Sequence, residues 1–296
     1  MREKLIIILL FCVLSTGVQA QSRWGIFAGG GTTWYYGDMN DRLLTHKKLF
    51  SHYWKAGLLY KASQRVYITG SYASAKVVGA DSLAIQDFNL QRNLHFRNDI
   101  WHTSLQVEYR LLGYKDGRTR KVTPYLVGGV SYFHHNPVAI LNGREIELRP
   151  LGTEGQNIQN GGYDSPYKEY NFSFPYGIGV EFKLTNAFAL RLEIINHYTL
   201  TDHFDDLSDA YADSTELAGT PLGALAVVMA NNLATGYPNK GFGRGNPKYN
   251  DTYVFAGLSL LYSPFNDKDS GKSGNKNGNQ KNGKRKKKKA SCPAFN

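Results

Sequence analysis

A hairpin of alternating side chains at residues 171–195 constrains the fold of this chain more than any other stretch. From Phe172 to Leu184 every second residue is apolar, and the residues between them are small or charged. The same alternation resumes after Thr185-Asn186. Because successive side chains leave a strand on opposite sides, the pattern predicts two antiparallel strands joined by a tight turn, each with one apolar and one polar face.

Eight runs in the chain have strand character, although the first, third and fifth are Gly-rich or apolar on both faces. They are residues 23–36, 51–61, 65–75, 98–112, 122–135, 171–184, 188–198 and 251–263. Most reach the roughly 9–11 residues that a tilted strand needs to cross a bilayer. The connections alternate between short and long, so every short turn falls at one end, as in outer-membrane barrels with short periplasmic turns. We therefore expect an all-β fold: an eight-stranded antiparallel transmembrane β-barrel with both termini in the periplasm.

The interior of such a barrel is just wide enough for its own side chains. Several charged residues occupy the polar faces of the predicted strands, and buried charges of both signs need partners. We expect a closed, filled interior with an internal ion-pair network and no open channel, which argues against a porin. The predicted network comprises Lys55, Glu108, Arg110, Glu181, Lys183, Arg191 and Glu193.

The two ends of the chain differ from the body at residues 21–266. Arg2 and Lys4 precede a short apolar run, and residues 1–20 have the pattern of a secretory signal peptide. Residues 267–296 are rich in Gly, Asn, Ser and Lys, and most of the net charge of +11 lies there. This composition predicts a disordered basic tail in the periplasm.

The tail contains the strongest candidate for partner binding. Its basic run has three targets that we leave open: anionic lipid, peptidoglycan or a protein. Cys292 is the one cysteine left once the signal peptide is removed, which suggests an exposed thiol or an intermolecular bridge. The candidate residues are Lys284, Arg285, Lys286, Lys287, Lys288, Lys289 and Cys292.

Three other features suggest sites of less weight. His102 and Ser104 are spaced as in outer-membrane lipid A deacylases, but alternation places both in the interior, away from lipid. The acidic segment at residues 202–213 suits loop hydrogen bonds and helix caps better than a calcium site. Residues 220–230 predict a short capped helix that packs over the barrel mouth. We expect no catalytic, cofactor-binding or metal-binding residues, and no nucleic-acid partner.

Several motifs resemble the PorG-like outer-membrane β-barrel proteins of the type IX secretion system of Bacteroidota. They follow the family's order along nearly the whole barrel. The motifs are Tyr36-Gly37-Asp38, Arg92-Asn93-Leu94-His95-Phe96-Arg97, Thr123-Pro124-Tyr125, Leu148-Arg149-Pro150-Leu151-Gly152-Thr153-Glu154-Gly155-Gln156, Thr201-Asp202 with Asp205-Asp206-Leu207-Ser208, and Arg244-Gly245-Asn246-Pro247 leading to Asp251 and Tyr253.

The resemblance implies a function in the outer membrane. Proteins of this family are barrels that associate with the periplasmic ring of PorK and PorN, serve secretion of cargo with a C-terminal signal and, in some species, gliding motility. We therefore expect a non-enzymatic anchor or assembly component with PorK/PorN-like ring proteins and outer-membrane lipid as partners. The alternatives are a lipid A-modifying barrel enzyme and an adhesin-like surface barrel.

Overall fold

The computed structural model describes residues 23–40, 46–112, 121–159, 161–233 and 236–264. Within these segments the strands are β1 (Trp24–Tyr36), β2 (Ser51–Lys61), β3 (Val66–Ala80), β4 (His95–Arg110), β5 (Val122–His134), β6 (Pro137–Leu141), β7 (Arg144–Glu147), β8 (Tyr170–Lys183), β9 (Phe188–Thr199) and β10 (Thr252–Tyr262). Eight of them pair antiparallel in the order β3-β2-β1-β10-β9-β8-β5-β4. The pairing of β3 with β4 closes the sheet. The predicted eight-stranded antiparallel barrel is confirmed.

The exterior of the barrel is apolar and the interior is polar. On β8 and β9, Ile178 is 60% exposed and Ile194 is 49% exposed, whereas Arg191 and Glu193 between the outward residues are buried. Leu105 on β4 and Leu58 on β2 are likewise more than half exposed. This is the inverse of a water-soluble sandwich, whose outward side chains are polar. The exposed band therefore faces lipid, as in a transmembrane barrel.

Aromatic residues cluster on the exterior at both ends of the strands. At one end the rings of Trp54, Tyr72, Trp101 and Tyr132 follow one another across β2 to β5, with centroids 5.6 to 6.4 Å apart. At the other end Trp24 contacts Tyr60, and Phe188 contacts Tyr262, at 4.8 and 5.1 Å. Such belts mark the two membrane–water interfaces. The strands between them have the length of a bilayer crossing.

The connections are sorted by length as the sequence predicts. Among the eight barrel strands, the shorter connections join β2 to β3, β4 to β5 and β8 to β9, and longer loops, one of which contains the β6–β7 hairpin, make the other links. Both ends of the described barrel lie at the short-turn end: Lys61 N donates to Arg23 O at 2.8 Å, and Ser263 N donates to Ala187 O at 2.7 Å. We call the two ends of the barrel the turn end and the loop end.

Two predicted strands have different bounds, because they form a ribbon that extends past the barrel rim. β3 continues to Ala80 and β4 begins at His95, so the predictions of 65–75 and 98–112 were too short at the loop end. The hairpin of β6 and β7 pairs with this extension of β4. Its turn is Asn142-Gly143, with φ of 52° and 78°, and Asn-Gly is the dipeptide that such tight hairpins favour.

The long loops carry short helices. In the described parts of these loops they are α1 (Asp87–Arg92), α2 (Ser214–Ala218) and α3 (Gly223–Ala230), with three single-turn 3₁₀ helices. The predicted helix over the barrel mouth is confirmed, since Ala226, Met229 and Ala230 of α3 join the buried core at the loop end. Its predicted cap is wrong: the Thr220 hydroxyl donates to Leu217 O instead. No helix in the described segments is long and apolar enough to cross a membrane.

Candidate functional site

Six of the seven predicted interior charges form one continuous series of contacts across the barrel lumen. Lys55 pairs with Glu193, and Glu193 contacts Arg191 at 2.9 Å. Arg191 also pairs with Glu108, which lies 3.3 Å from Arg110. Arg110 ends the series on Glu181 at 2.8 Å. We call Lys55, Glu193, Arg191, Glu108, Arg110 and Glu181 the lumen chain; its three bases and three acids balance in charge.

Tyr125 supports the lumen chain from β5. Its hydroxyl donates to Glu193 Oε1 at 2.8 Å and accepts from Arg191 Nε at 3.0 Å. The guanidinium groups of Arg110 and Arg191 lie 4.8 and 5.0 Å from its ring centre. A Cβ at position 179 would lie 2.3 Å from the Tyr125 ring, so only glycine lets the ring lie across β8.

The lumen contains little free space. A cavity of about 10 Å³ lies beside Lys55, Glu108 and Glu193, which is about the smallest volume that holds a single water molecule. The side chains therefore close the passage between the two ends of the barrel.

The remaining predicted site residues lie elsewhere. Lys183 is half-buried at the last position of β8, at the turn end and outside the lumen chain. The predicted signal peptide, the predicted tail and its candidates Lys284, Arg285, Lys286, Lys287, Lys288, Lys289 and Cys292 lie outside the described residues. No group of three or more His, Cys, Asp or Glu in the described segments could hold a metal ion.

His102 and Ser104 both point into the barrel, as alternation predicts. His102 is 3% exposed and lies 3.1 Å from the Tyr253 hydroxyl, while Ser104 hydrogen-bonds Ser71 at 2.7 Å. The ring of His197 stacks on Tyr253 with centres 4.6 Å apart. A lipid substrate on the barrel exterior does not reach these groups, because the β4 backbone lies between.

A second charged cluster lies under the long loops, and the sequence motifs converge on it. Arg92 at the end of α1 binds Asp81 through Nε and Nη2, at 2.8 and 2.7 Å. It also donates to the backbone oxygens of Asp38, at 3.0 Å, and Arg244. Arg92 thus ties the first, second and fourth long loops together.

Arg244 is the second cation of this cluster. Its guanidinium contacts Glu154 of the third loop at 2.9 Å and Asp206 of the fourth at 3.4 Å. Asp206 also accepts from Thr153 at 2.6 Å and Tyr167 at 2.8 Å. Arg244 therefore ties the third loop to the fourth.

A tyrosine joins two further carboxyls to the barrel rim. The Tyr35 hydroxyl lies 2.5 Å from Asp205 and 2.7 Å from Asp251. A Cβ at position 37 would come within 2.2 Å of both the Tyr35 hydroxyl and Asp251, which explains the glycine of the Tyr36-Gly37-Asp38 motif. We call the whole assembly the cap cluster: Asp38, Asp81, Arg92, Glu154, Asp202, Asp205, Asp206, Arg244 and Asp251.

Burial sets the charge states of the cap cluster. Burial, together with the charge of Asp38, raises the pKa of Asp202 to about 8. The pKa values of Asp205 and Asp251 are also well above the usual range, because both are buried and each has an acidic neighbour. Burial lowers the pKa of Arg244, but the charges of Glu154 and Asp206 outweigh it and raise the pKa above its usual value. Burial therefore favours the neutral form of these carboxyls, whereas the acidic neighbours of Arg244 favour its charged form.

Sequence reasoning predicted part of this cluster. The acidic segment does stabilise loops, since Asp205 accepts from Leu207 N at 2.9 Å and Asp213 caps α2 by accepting from Thr215 N at 2.8 Å. The roles of Arg92 and Arg244 were missed. Both arginines lie inside the quoted motifs, next to asparagine or glycine. The motifs therefore marked the two positions but did not indicate which carboxylates the arginines contact.

The chain has solved barrels among its structural likenesses, at low similarity. Neisserial surface protein A is 9% identical, with a TM-score of 0.41, 81% of this chain covered and 97% of that chain covered. The Ail attachment invasion locus protein of Yersinia pestis, in complex with sucrose octasulfate, is 10% identical, with a TM-score of 0.39. The match covers 82% of this chain and 99% of that chain. OprG of Pseudomonas aeruginosa is 11% identical, with a TM-score of 0.36, and the match covers 83% of this chain and 99% of that chain.

At these scores the fold assignment rests on the closed sheet and its apolar exterior, which give this chain the eight-stranded fold of outer-membrane barrels. No curated protein matches the sequence. A family described as a domain of unknown function, DUF6089, matches residues 3–227, from near the start of the chain to within α3. That match covers most of the chain, and the chain belongs to the DUF6089 family.

Proposed function

We propose that this protein is an outer-membrane anchor and assembly component of a type IX secretion system, which links the membrane to a periplasmic ring of PorK/PorN-like proteins. The observation that carries the proposal is the filled lumen, where Arg191 and Glu108 sit at the centre of a balanced ion-pair series. A barrel closed in this way suits anchoring better than transport. The resemblance of the sequence motifs to PorG-like proteins is the reason for assigning the anchor to type IX secretion.

The turn end is the proposed docking face. Its described turns contain no acidic residue, and basic side chains surround it. They are Arg23, Lys61, Arg65, Lys121 and Lys183. The basic tail at residues 267–296 follows the last strand at this same end. In the proposed orientation the turns face the periplasm, and an acidic surface on the ring is the complementary partner.

The test is affinity purification of the tagged full chain from cell envelopes, with mass spectrometry of the co-purifying proteins. We expect PorK/PorN-like ring proteins with the full chain and a strong loss when the chain is truncated after Phe265. A matched variant replaces residues 284–289 by Gln, which removes the charge and keeps the length. Absence of ring proteins from the full-chain preparation, with normal secretion after deletion, would refute the proposal.

Cys292 has a separate test within the proposal. A disulfide to a ring protein predicts an adduct on non-reducing gels that disappears in Cys292→Ser. If no adduct forms, the contact is electrostatic alone.

The proposed role is not enzymatic. The inward direction of His102 and Ser104 supports this, because lipid lies on the other side of the strand. Deletion should therefore leave the acyl chains of lipid A unchanged by mass spectrometry. A gain of acyl chains on deletion would favour the lipid A-modifying alternative.

A further inference from the structure

The basic side chains of the turn end lie beside its aromatic belt. Arg23 directly precedes Trp24, and Lys61 directly follows Tyr60. The rings of Trp24 and Tyr60 lie 4.8 Å apart on the barrel exterior. Such rings mark the membrane–water interface, and lipid headgroups lie at that level. The basic residues of this end therefore stand where lipid phosphates are found.

Arg65, in the turn before β3, reaches onto the exterior of the barrel. Its Nη1 donates to the hydroxyl of Tyr109 at 3.3 Å. Tyr109 is 43% exposed and belongs to the outward, apolar face of β4. Arg65 is exposed too, and no carboxylate among the described residues pairs with it. Its guanidinium keeps donors for an acceptor that approaches along the membrane, and the Tyr109 hydroxyl keeps its own proton for the same acceptor.

An apolar surface lies beside this pair, towards the middle of the membrane. Tyr109 is the strand partner of Val66 on β3 and of Leu126 on β5. Leu126 is 44% exposed, and Val107, the next outward residue of β4, is 49% exposed. A guanidinium, a phenol hydroxyl and an apolar surface thus follow one another in the order of the phosphate and the acyl chains of a phospholipid.

The exterior charges at the two ends of the barrel differ. At the loop end Arg97 contacts Glu145 at 2.5 Å, and Arg149 contacts Glu169 at 3.1 Å. The described turns at the other end contain no acidic residue. Basic residues at a membrane surface are attracted to lipids of net negative charge. Charge complementarity at the turn end therefore selects an anionic phospholipid over a zwitterionic one.

We propose that the turn end of the barrel binds an anionic phospholipid of the leaflet that it faces, with the phosphate held by Arg65 and the Tyr109 hydroxyl. The acyl chains lie along Val107 and Leu126. This site is on the lipid-facing side of the barrel, whereas a ring protein would meet the turns from the aqueous side. Failure of one proposal therefore leaves the other standing.

The experiment measures binding of phosphatidylglycerol and phosphatidylcholine with identical acyl chains to the purified full chain, by native mass spectrometry from detergent micelles. We expect a dissociation constant for phosphatidylglycerol at least about tenfold below that for phosphatidylcholine. Glycerol 3-phosphate has the same phosphate without acyl chains and should not compete. Equal affinity for the two lipids, or displacement by glycerol 3-phosphate at equal concentration, would overturn the proposal.

Three variants locate the lipid. Arg65→Gln should raise the dissociation constant for phosphatidylglycerol about fivefold, the effect of one basic residue at an anionic surface. Tyr109→Phe keeps the ring and should raise it roughly threefold through the lost hydrogen bond. Arg144→Gln is the matched control, because Arg144 is an exposed arginine of the β6–β7 hairpin at the loop end, and it should change nothing. An effect of Arg65→Gln no larger than that of Arg144→Gln would refute the site.

The basic tail also attracts anionic lipid, so its contribution is separated. The comparison of Arg65→Gln with its parent is repeated on the full-length chain with residues 284–289 replaced by Gln. The proposal predicts that the effect of Arg65→Gln persists in this background. Its disappearance would assign the bound lipid to the tail and contradict the site.

Discussion

Replacing Arg191 by Met should destabilise the barrel by about 3–5 kcal/mol, the cost of removing one partner from a buried ion pair. Arg191 is 1% exposed and contacts both Glu108 and Glu193, whose carboxylates would remain in a lumen with almost no space for water. Methionine keeps much of the volume and the contact with the ring of Tyr125. The expected loss is therefore mainly electrostatic, and it is large against a typical stability of about 5–15 kcal/mol.

The assay is urea unfolding of the barrel in lipid vesicles, with the free energy of unfolding compared between variants. Lys121→Met is the control, because Lys121 is exposed at the turn end and should change stability by no more than about 0.5 kcal/mol. The double variant Arg191→Met/Glu108→Gln leaves the Lys55–Glu193 and Arg110–Glu181 pairs intact and neutral, so it should recover much of the loss. If Arg191→Met alone lies within about 1 kcal/mol of the natural protein, the lumen chain is not held together as described.

Three further predictions concern the cap and the lumen. Arg244→Met should make the long loops much more sensitive to limited proteolysis by leaving Glu154 and Asp206 unpaired, whereas the exposed Lys240→Met should not. Because the pKa of Asp202 is raised to about 8, its contribution to cap stability is fully present below pH 4 and is lost as the pH rises towards 8. Hydrogen exchange of the loop amides, corrected for intrinsic rates, should therefore speed up over that range, and Asp202→Asn should flatten the dependence. In planar bilayers the purified barrel should give no steady conductance steps, and a stable open level would contradict the filled lumen.

The barrel was predictable because its signal is local. A period of two along the second, fourth, sixth, seventh and eighth predicted strands fixes which side chains face inward, and it placed Glu181, Arg191 and Glu193 correctly in the interior. The first, third and fifth predicted strands are Gly-rich or apolar on both faces, so alternation did not assign their sides. The pairing of individual acidic and basic side chains in the lumen was not predictable. Lys55 and Glu193 are 138 positions apart, and their contact depends on the register of every strand between them.

The loops were less accessible to sequence reasoning. β6 and β7 are five and four residues long, below the length at which alternation is distinctive, although Asn142-Gly143 was a valid turn signal. Likewise, the residues next to Arg92 and Arg244 in the sequence do not indicate that the two side chains lie in one buried cluster. Their partners come from different loops, and only a closed barrel brings those loops together.

The cap cluster also bears on how the protein reaches its folded state. Tyr35 meets Asp205 and Asp251 across 170 and 216 positions of sequence, so these contacts form only after the first and last strands have joined. Until then the long loops must cross or border the membrane as hydrated, uncapped chain. The charged side chains of the cap cluster keep these loops hydrated during that passage, beside the apolar loop residues that later form the core at the loop end. The polar composition of the cap thus serves the order of assembly as well as the finished fold.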